Sequence, residues 1–161
     1  MSTGRHTHMG FTLVELVVTA AIFALLATMV LPMAEAAAQR SKEQDLRNSL
    51  RQIREAIDAY KQASDEGHIL KKVDDTGYPP TLDVLVEGVS DAKSPLERKI
   101  YFLRHLPRDP FASDPSLPAA DTWGKRSYAS SPSDPQEGDD VYDVYTYTKG
   151  VGLNGIAYQE W

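Results

Sequence analysis

Two hydrophobic patterns divide the first 65 residues. From Phe11 to Ala34 the chain runs apolar for 24 residues, and its single charge there is Glu15. As a helix this run measures ~36 Å, enough to cross a hydrocarbon core of ~30 Å. A carboxylate at the centre of such a helix costs ~2.5–3.5 kcal/mol on insertion scales, so Glu15 needs a role or a partner. Past Pro32 the pattern changes. Leu46, Leu50, Ile53, Ile57 and Tyr60 recur at spacings of 4, 3, 4 and 3, which puts one apolar stripe on one helix face. Charges fill the other positions, and Glu43–Arg47 and Arg51–Glu55 have the i,i+4 spacing of favourable pairs. Gly67 ends the stretch. The spacing predicts one helix over roughly residues 11–65, apolar all round at first and amphipathic later. The stripe lasts barely two heptads, so it reads as the face on which a small domain packs rather than a coiled-coil seam. Pro32 removes one backbone hydrogen bond and crowds the preceding turn, leaving a bend or a local unwinding as the two outcomes.

From Gly67 onward prolines and glycines punctuate short elements. Leu82, Leu85 and Val86 predict a short helix with Thr81 as its cap. Ile100, Leu103 and Leu106 predict a second, closed by Pro107. Residues 112–122 and 130–140 read as loops, with a short strand over Lys125–Ala129 between them. Val141–Tyr147 alternates and is rich in aromatic and β-branched residues, the signature of a strand, and Ile156–Tyr158 reads as another. The predicted class is α+β: a long N-terminal helix packed on a small C-terminal domain with short helices and a small antiparallel sheet.

Composition narrows the function. At 161 residues there is room for one domain plus a membrane element. The net charge of -6 and the pI near 5.2 argue against a nucleic-acid partner. With no cysteine there is no disulfide framework, thiolate metal site or cysteine nucleophile. The four histidines, His6, His8, His68 and His105, lack metal-ligand spacing and read as leader or surface residues. No nucleophile-elbow or phosphate-binding glycine pattern is present. No catalytic residue, cofactor or enzymatic activity is expected.

Three readings compete for residues 1–34. One is a cleaved secretory signal, with Arg5, His6 and His8 as its polar start and Ala34-Glu35-Ala36 imitating a cleavage site. The second is a plain signal anchor. The third rests on Gly10-Phe11-Thr12-Leu13-Val14-Glu15, whose continuation GFTLVELVVTAAIFALLATMVLPM resembles the N-terminal segment of type IV pilins and type II secretion pseudopilins. The resemblance implies cleavage between Gly10 and Phe11 by a prepilin peptidase and N-methylation of Phe11. It matches Glu15 to the family glutamate and Pro32 to the family's helix-disrupting proline, both with roles in assembly. A glycine before the cut suits a protease cleft that must admit extended backbone. In a bundle of such helices Glu15 can pair with the Phe11 amine of a neighbouring subunit; the alternative is that Glu15 snorkels to the interface. Flanking charge does not decide orientation, so placement with the leader on the cytoplasmic side follows from the resemblance.

The tail narrows the likeness further. Tyr78-Pro79, Leu106-Pro107-Arg108-Asp109-Pro110-Phe111, Trp123-Gly124 and Tyr142-Asp143-Val144-Tyr145 resemble, in their order, landmarks of the major pseudopilin branch of type II secretion. That branch commonly holds calcium in a C-terminal loop. Here Asp143 matches, but residues 146–152 carry no carboxylate; Asp139 and Asp140 could contribute from the other side but read as a solvated loop beside Gly138, so no tight calcium site is expected. The implied organisation is a leader (1–10), a transmembrane and filament-core helix (11–34), an amphipathic helix continuing into the periplasm (35–66) and a globular domain (67–161). The implied protein is a single-pass inner-membrane subunit that homopolymerises into a pseudopilus driving export across the outer membrane. Its partners would be the prepilin peptidase, the inner-membrane assembly platform, minor pseudopilins and the lipid bilayer. A minor pseudopilin, a type IV pilin subunit and a membrane-anchored periplasmic binding module are the alternatives.

Overall fold

The computed structural model describes residues 12–96 and 98–161; the expectations for the leader, Gly10 and Phe11 lie outside them. The chain divides into two compact units, Met1–Arg40 and Ser41–Trp161.

Helix α1 spans Leu13–Asp65, with Pro32 inside it. At its start the Thr12 Oγ1 caps the helix by accepting from the Glu15 backbone N–H at 3.2 Å. Its end is a Schellman turn: His68 N donates to Ala63 O (2.9 Å) and Gly67 N to Ser64 O (3.1 Å), with Gly67 at φ +79°.

In the second unit the apolar stripe is the core. Leu46, Leu50, Ile53, Ile57 and Tyr60 are all buried, and they pack with Leu82, Leu85, Leu103, Trp123, Val141 and Val144. Around them lie α2 (Val84–Glu87), β1 (Val89–Ser90), β2 (Lys99–Ile100), a 3-10 turn over Ala119–Thr122, β3 (Trp123–Arg126), β4 (Asp143–Thr146) and a 3-10 turn over Tyr158–Glu160. The strands form two separate antiparallel pairs. β1 meets β2 with Val89 opposite Ile100; β3 meets β4 with Trp123 opposite Thr146 and Gly124 opposite Tyr145. The class is α+β, as the residue pattern predicts.

Several local elements differ from expectation. The cap of α2 is Asp83, not Thr81, and it makes no side-chain capping bond. Ile100, Leu103 and Leu106 do not form a helix. Ile100 pairs in β2, and the amides of Phe102 and Leu103 both donate to Leu85 O (3.0 and 2.9 Å) instead of to a carbonyl four residues back. Three apolar residues at helical spacing cannot distinguish a turn of helix from a chain returning over a buried helix. The third strand lies at Trp123–Arg126, two residues earlier than Lys125–Ala129, because Trp123 itself enters the ladder opposite Thr146. That register also stops β4 at Thr146, where the Thr148 N–H bends back to the Thr146 Oγ1 (3.1 Å). In place of a strand over Ile156–Tyr158 there is a single bridge between Val151 and Ala157, followed by the 3-10 turn.

Candidate functional site on the N-terminal helix and its anchorage

In the first unit the described apolar side chains face outward. Leu13, Leu16, Ile22, Phe23, Leu25 and Val30 are each more than half exposed. This helix is long and apolar enough to cross a membrane by length and composition. Its polar groups are handled within the helix. The Thr19 and Thr28 hydroxyls donate to the carbonyls of Leu16 (3.0 Å) and Leu25 (2.7 Å), as an apolar solvent demands. Glu15 occupies the first turn, where the exposed amide ends of the helix favour negative charge. Its backbone is capped, while its carboxylate, among the described residues, has no partner within the chain.

The second unit is pinned together by charged groups on α1 that sequence spacing assigns to solvent. Glu43 is buried, and its Oε1 accepts both the Leu153 N–H and the Tyr158 hydroxyl at 2.9 Å. Arg47 lies over the Trp161 ring, 4.1 Å from its centroid. Arg54 binds three groups at once: Nε donates to Asp143 Oδ1 (2.7 Å), and its terminal nitrogens donate to Trp161 O (2.7 Å) and Val144 O (3.0 Å). Arg51 and Glu55, among the described residues, form no ion pair, contrary to their spacing. Glu43 and Arg54 were missed as site residues because their partners lie about a hundred positions away in sequence.

The ordered tail landmarks converge in space. Trp123 Nε1 donates to Pro107 O at 2.9 Å. Asp109, buried, accepts the Phe111 N–H (2.8 Å) and the Thr146 hydroxyl. Gly124 sits under the ring of Tyr145, where a Cβ would lie 2.3 Å from Tyr145 Cζ, so only glycine lets that cross-strand ring lie flat. Val141 N donates to Pro79 O (2.8 Å), and Tyr78 meets Tyr142 edge-on at 5.0 Å. Each landmark therefore fixes another.

The calcium candidates are taken up by other groups. Asp143 is bound by Arg54 and by Arg126 (3.4 Å), and its Oδ1 also accepts the Val144 N–H (2.8 Å). Asp140 accepts the Thr76 hydroxyl and the Tyr128 N–H. Asp139 is exposed. Among the described residues no three carboxylate, histidine or cysteine side chains gather as a metal site. His68 is not a free surface residue: it is half-buried, with Nδ1 2.8 Å from Asp91, whose carboxyl that contact holds below its ordinary range. His105 is exposed.

The first part of α1 is apolar, and a small α+β domain packs on its amphipathic remainder. The curated relatives that match are more particular. The chain is 27% identical over 150 residues to the type II secretion system core protein G of Klebsiella michiganensis, covering 90% of this chain and 98% of that protein. It is 28% identical over 138 residues to the proteins of the same name from Klebsiella pneumoniae (82% and 91% covered) and Pseudomonas aeruginosa (83% and 89%). The resemblance to the major pseudopilin branch is therefore carried by nearly the whole chain. No family model matches, and no solved structure matches.

Proposed function

We propose that the protein is a structural subunit of the type II secretion pseudopilus, not an enzyme. The observation that carries this reading is the similarity to core protein G over 90% of a chain whose long helix α1 carries a small α+β head, the second unit, on its amphipathic part. In this reading the chain is an inner-membrane protein with its second unit in the periplasm. It is cut after Gly10 by a prepilin peptidase, methylated at Phe11, and polymerised through the apolar part of α1 by the assembly platform together with minor pseudopilins.

Glu15 is the assembly determinant in this scheme. Its backbone is held by the helix cap, which leaves the carboxylate available to an external cation. The Phe11 amine of an adjacent subunit is such a cation, and it exists only after the leader is removed. Lipid already solvates the apolar side chains, so burying them between helices gives little drive to associate; packing and this charge pair must supply register. Pro32 would serve the same assembly by letting α1 adjust its path.

Co-expression of the full chain with a prepilin peptidase tests the reading. The expected product has lost the mass of residues 1–10 and gained one methyl group. An uncut chain, or a cut near Ala36, overturns it in favour of an anchor or a secretory signal.

A further inference from the structure

The loop between β4 and the last 3-10 turn closes its own backbone and leaves aliphatic side chains outside. Gly152 N donates to Ile156 O (2.8 Å), Gly155 N to Gly152 O (2.9 Å) and Tyr158 N to Gly150 O (3.0 Å). The Ile156 N–H goes to the Asn154 side-chain oxygen at 3.1 Å, and the Leu153 N–H to buried Glu43 at 2.9 Å. Gly152 lies against the Trp161 ring, where a Cβ would meet Cζ2 at 2.3 Å, so the loop is fixed to the head on two sides. Val151, Leu153 and Ile156 remain 59%, 53% and 45% exposed.

Three features select what covers them. The first is the backbone. Amides bonded within the loop and to Glu43 can leave water without an unpaired donor, which is the condition for a chain to enter an apolar medium. The second is charge. Residues 144–159 carry no carboxylate and a single lysine, Lys149, in a chain of net charge -6. Lys42, exposed beside Glu43, adds a second cation at the point of attachment, so the loop suits anionic headgroups. The third is reach. Glu43 follows Ala34, the end of the apolar run, by nine residues, which span at most ~30 Å whatever path they take. Three aliphatic side chains fall far short of the ~800 Å² per partner of a standard protein interface. They suffice for a surface to which the chain is already tethered, because the second contact is then intramolecular.

We infer that the loop carrying Val151, Leu153 and Ile156 docks on the bilayer surface. Its three aliphatic side chains enter the boundary between headgroups and acyl chains, while Lys42 and Lys149 meet headgroup phosphates. The inference rests on the reading of Phe11–Ala34 as a membrane-spanning segment.

The chain has no cysteine, so a single L153C label reports on the loop alone. The full chain carries an environment-sensitive fluorophore there and is held as one copy per nanodisc of phosphatidylcholine and phosphatidylglycerol. Lipids bearing an acyl-chain nitroxide are the quencher. Two reference labels accompany it: F23C on the apolar part of α1, and S133C, an exposed position between β3 and β4. Quenching of L153C should exceed that of S133C by about threefold or more, with blue-shifted emission, as for a side chain buried ~5–10 Å into the boundary. Adding V151S/I156S should bring the L153C signal down to the S133C level while the near-ultraviolet spectrum stays native. Quenching of L153C no stronger than that of S133C, with F23C quenched, overturns the inference and leaves the membrane-spanning reading standing. Unchanged quenching with V151S/I156S overturns it as well. No quenching of F23C overturns the membrane-spanning reading and the inference with it. Shielding of L153C that appears only when the number of chains per disc is raised also overturns it, by reassigning the patch to a second copy.

Discussion

Replacing Arg54 by alanine should destabilise the head more than any other single loss of surface charge. The guanidinium joins the middle of α1 to Asp143, Val144 O and Trp161 O, so one substitution removes three charge-assisted hydrogen bonds. Each such bond is worth ~1.5–3 kcal/mol when well shielded. The Arg54 and Asp143 side chains are 37% and 30% exposed, so water replaces part of each bond and the total falls to ~2–3 kcal/mol. For a domain of about 120 residues that loss lowers the melting temperature by ~6–12 °C. Thermal unfolding of the full chain in micelles, read by near-ultraviolet circular dichroism of Trp123 and Trp161, measures it. Arg54→Lys should recover less than half, because an ammonium cannot span three acceptors in the planar arrangement of the guanidinium. A loss below ~0.5 kcal/mol for Arg54→Ala, the size of an ordinary surface substitution, would refute the pinning role.

Three further outcomes follow from the same contacts. Glu43→Ala should cost ~2–4 kcal/mol in the same melt, since it strands the Leu153 amide and the Tyr158 hydroxyl, and Glu43→Gln should cost less because its carbonyl can still accept. Gly124→Ala should cost ~1–3 kcal/mol by driving a methyl into the Tyr145 ring, and a double-mutant cycle with Tyr145→Ala should show that much of the penalty is removed with the ring. The Asp91 carboxyl is held below its ordinary 3.8, first by His68 and then by the Lys93 amide. A depressed carboxylate stabilises the fold above its unfolded value and loses that contribution as pH falls through the folded one. The melting-temperature gap between wild type and Asp91→Asn should therefore narrow as pH is lowered from about 5 to about 3, and a gap constant over that range contradicts the pairing.

What was legible in the sequence had a local cause. The helix, its stop at Gly67 and its buried stripe follow from 3.6-residue periodicity and from a glycine free to adopt positive φ, and all are present. The misread segments are those where distant partners overrule local spacing. Ile100–Leu106 has helical spacing but returns over Leu85, and β3 starts at Trp123 because Thr146 lies opposite it. The charged positions of α1 were misread for the same reason. Glu43 looks like half of a surface pair, yet its hydrogen bonds go to Leu153 and Tyr158, whose positions only the fold supplies. The tail landmarks were recognisable as an ordered set without their mechanism; contacts such as Trp123 with Pro107 and Asp109 with Thr146 give each one a physical reason.

The central claim is that Glu15 acts through an amine created by processing. Its most direct test is filament formation by wild type and Glu15→Ala, each co-expressed with the prepilin peptidase, the assembly platform and minor pseudopilins, with leader removal confirmed by mass. The account predicts that both chains insert in the membrane and are cut after Gly10, while only the wild type yields filaments. Normal filament yield from the processed Glu15→Ala chain would contradict it.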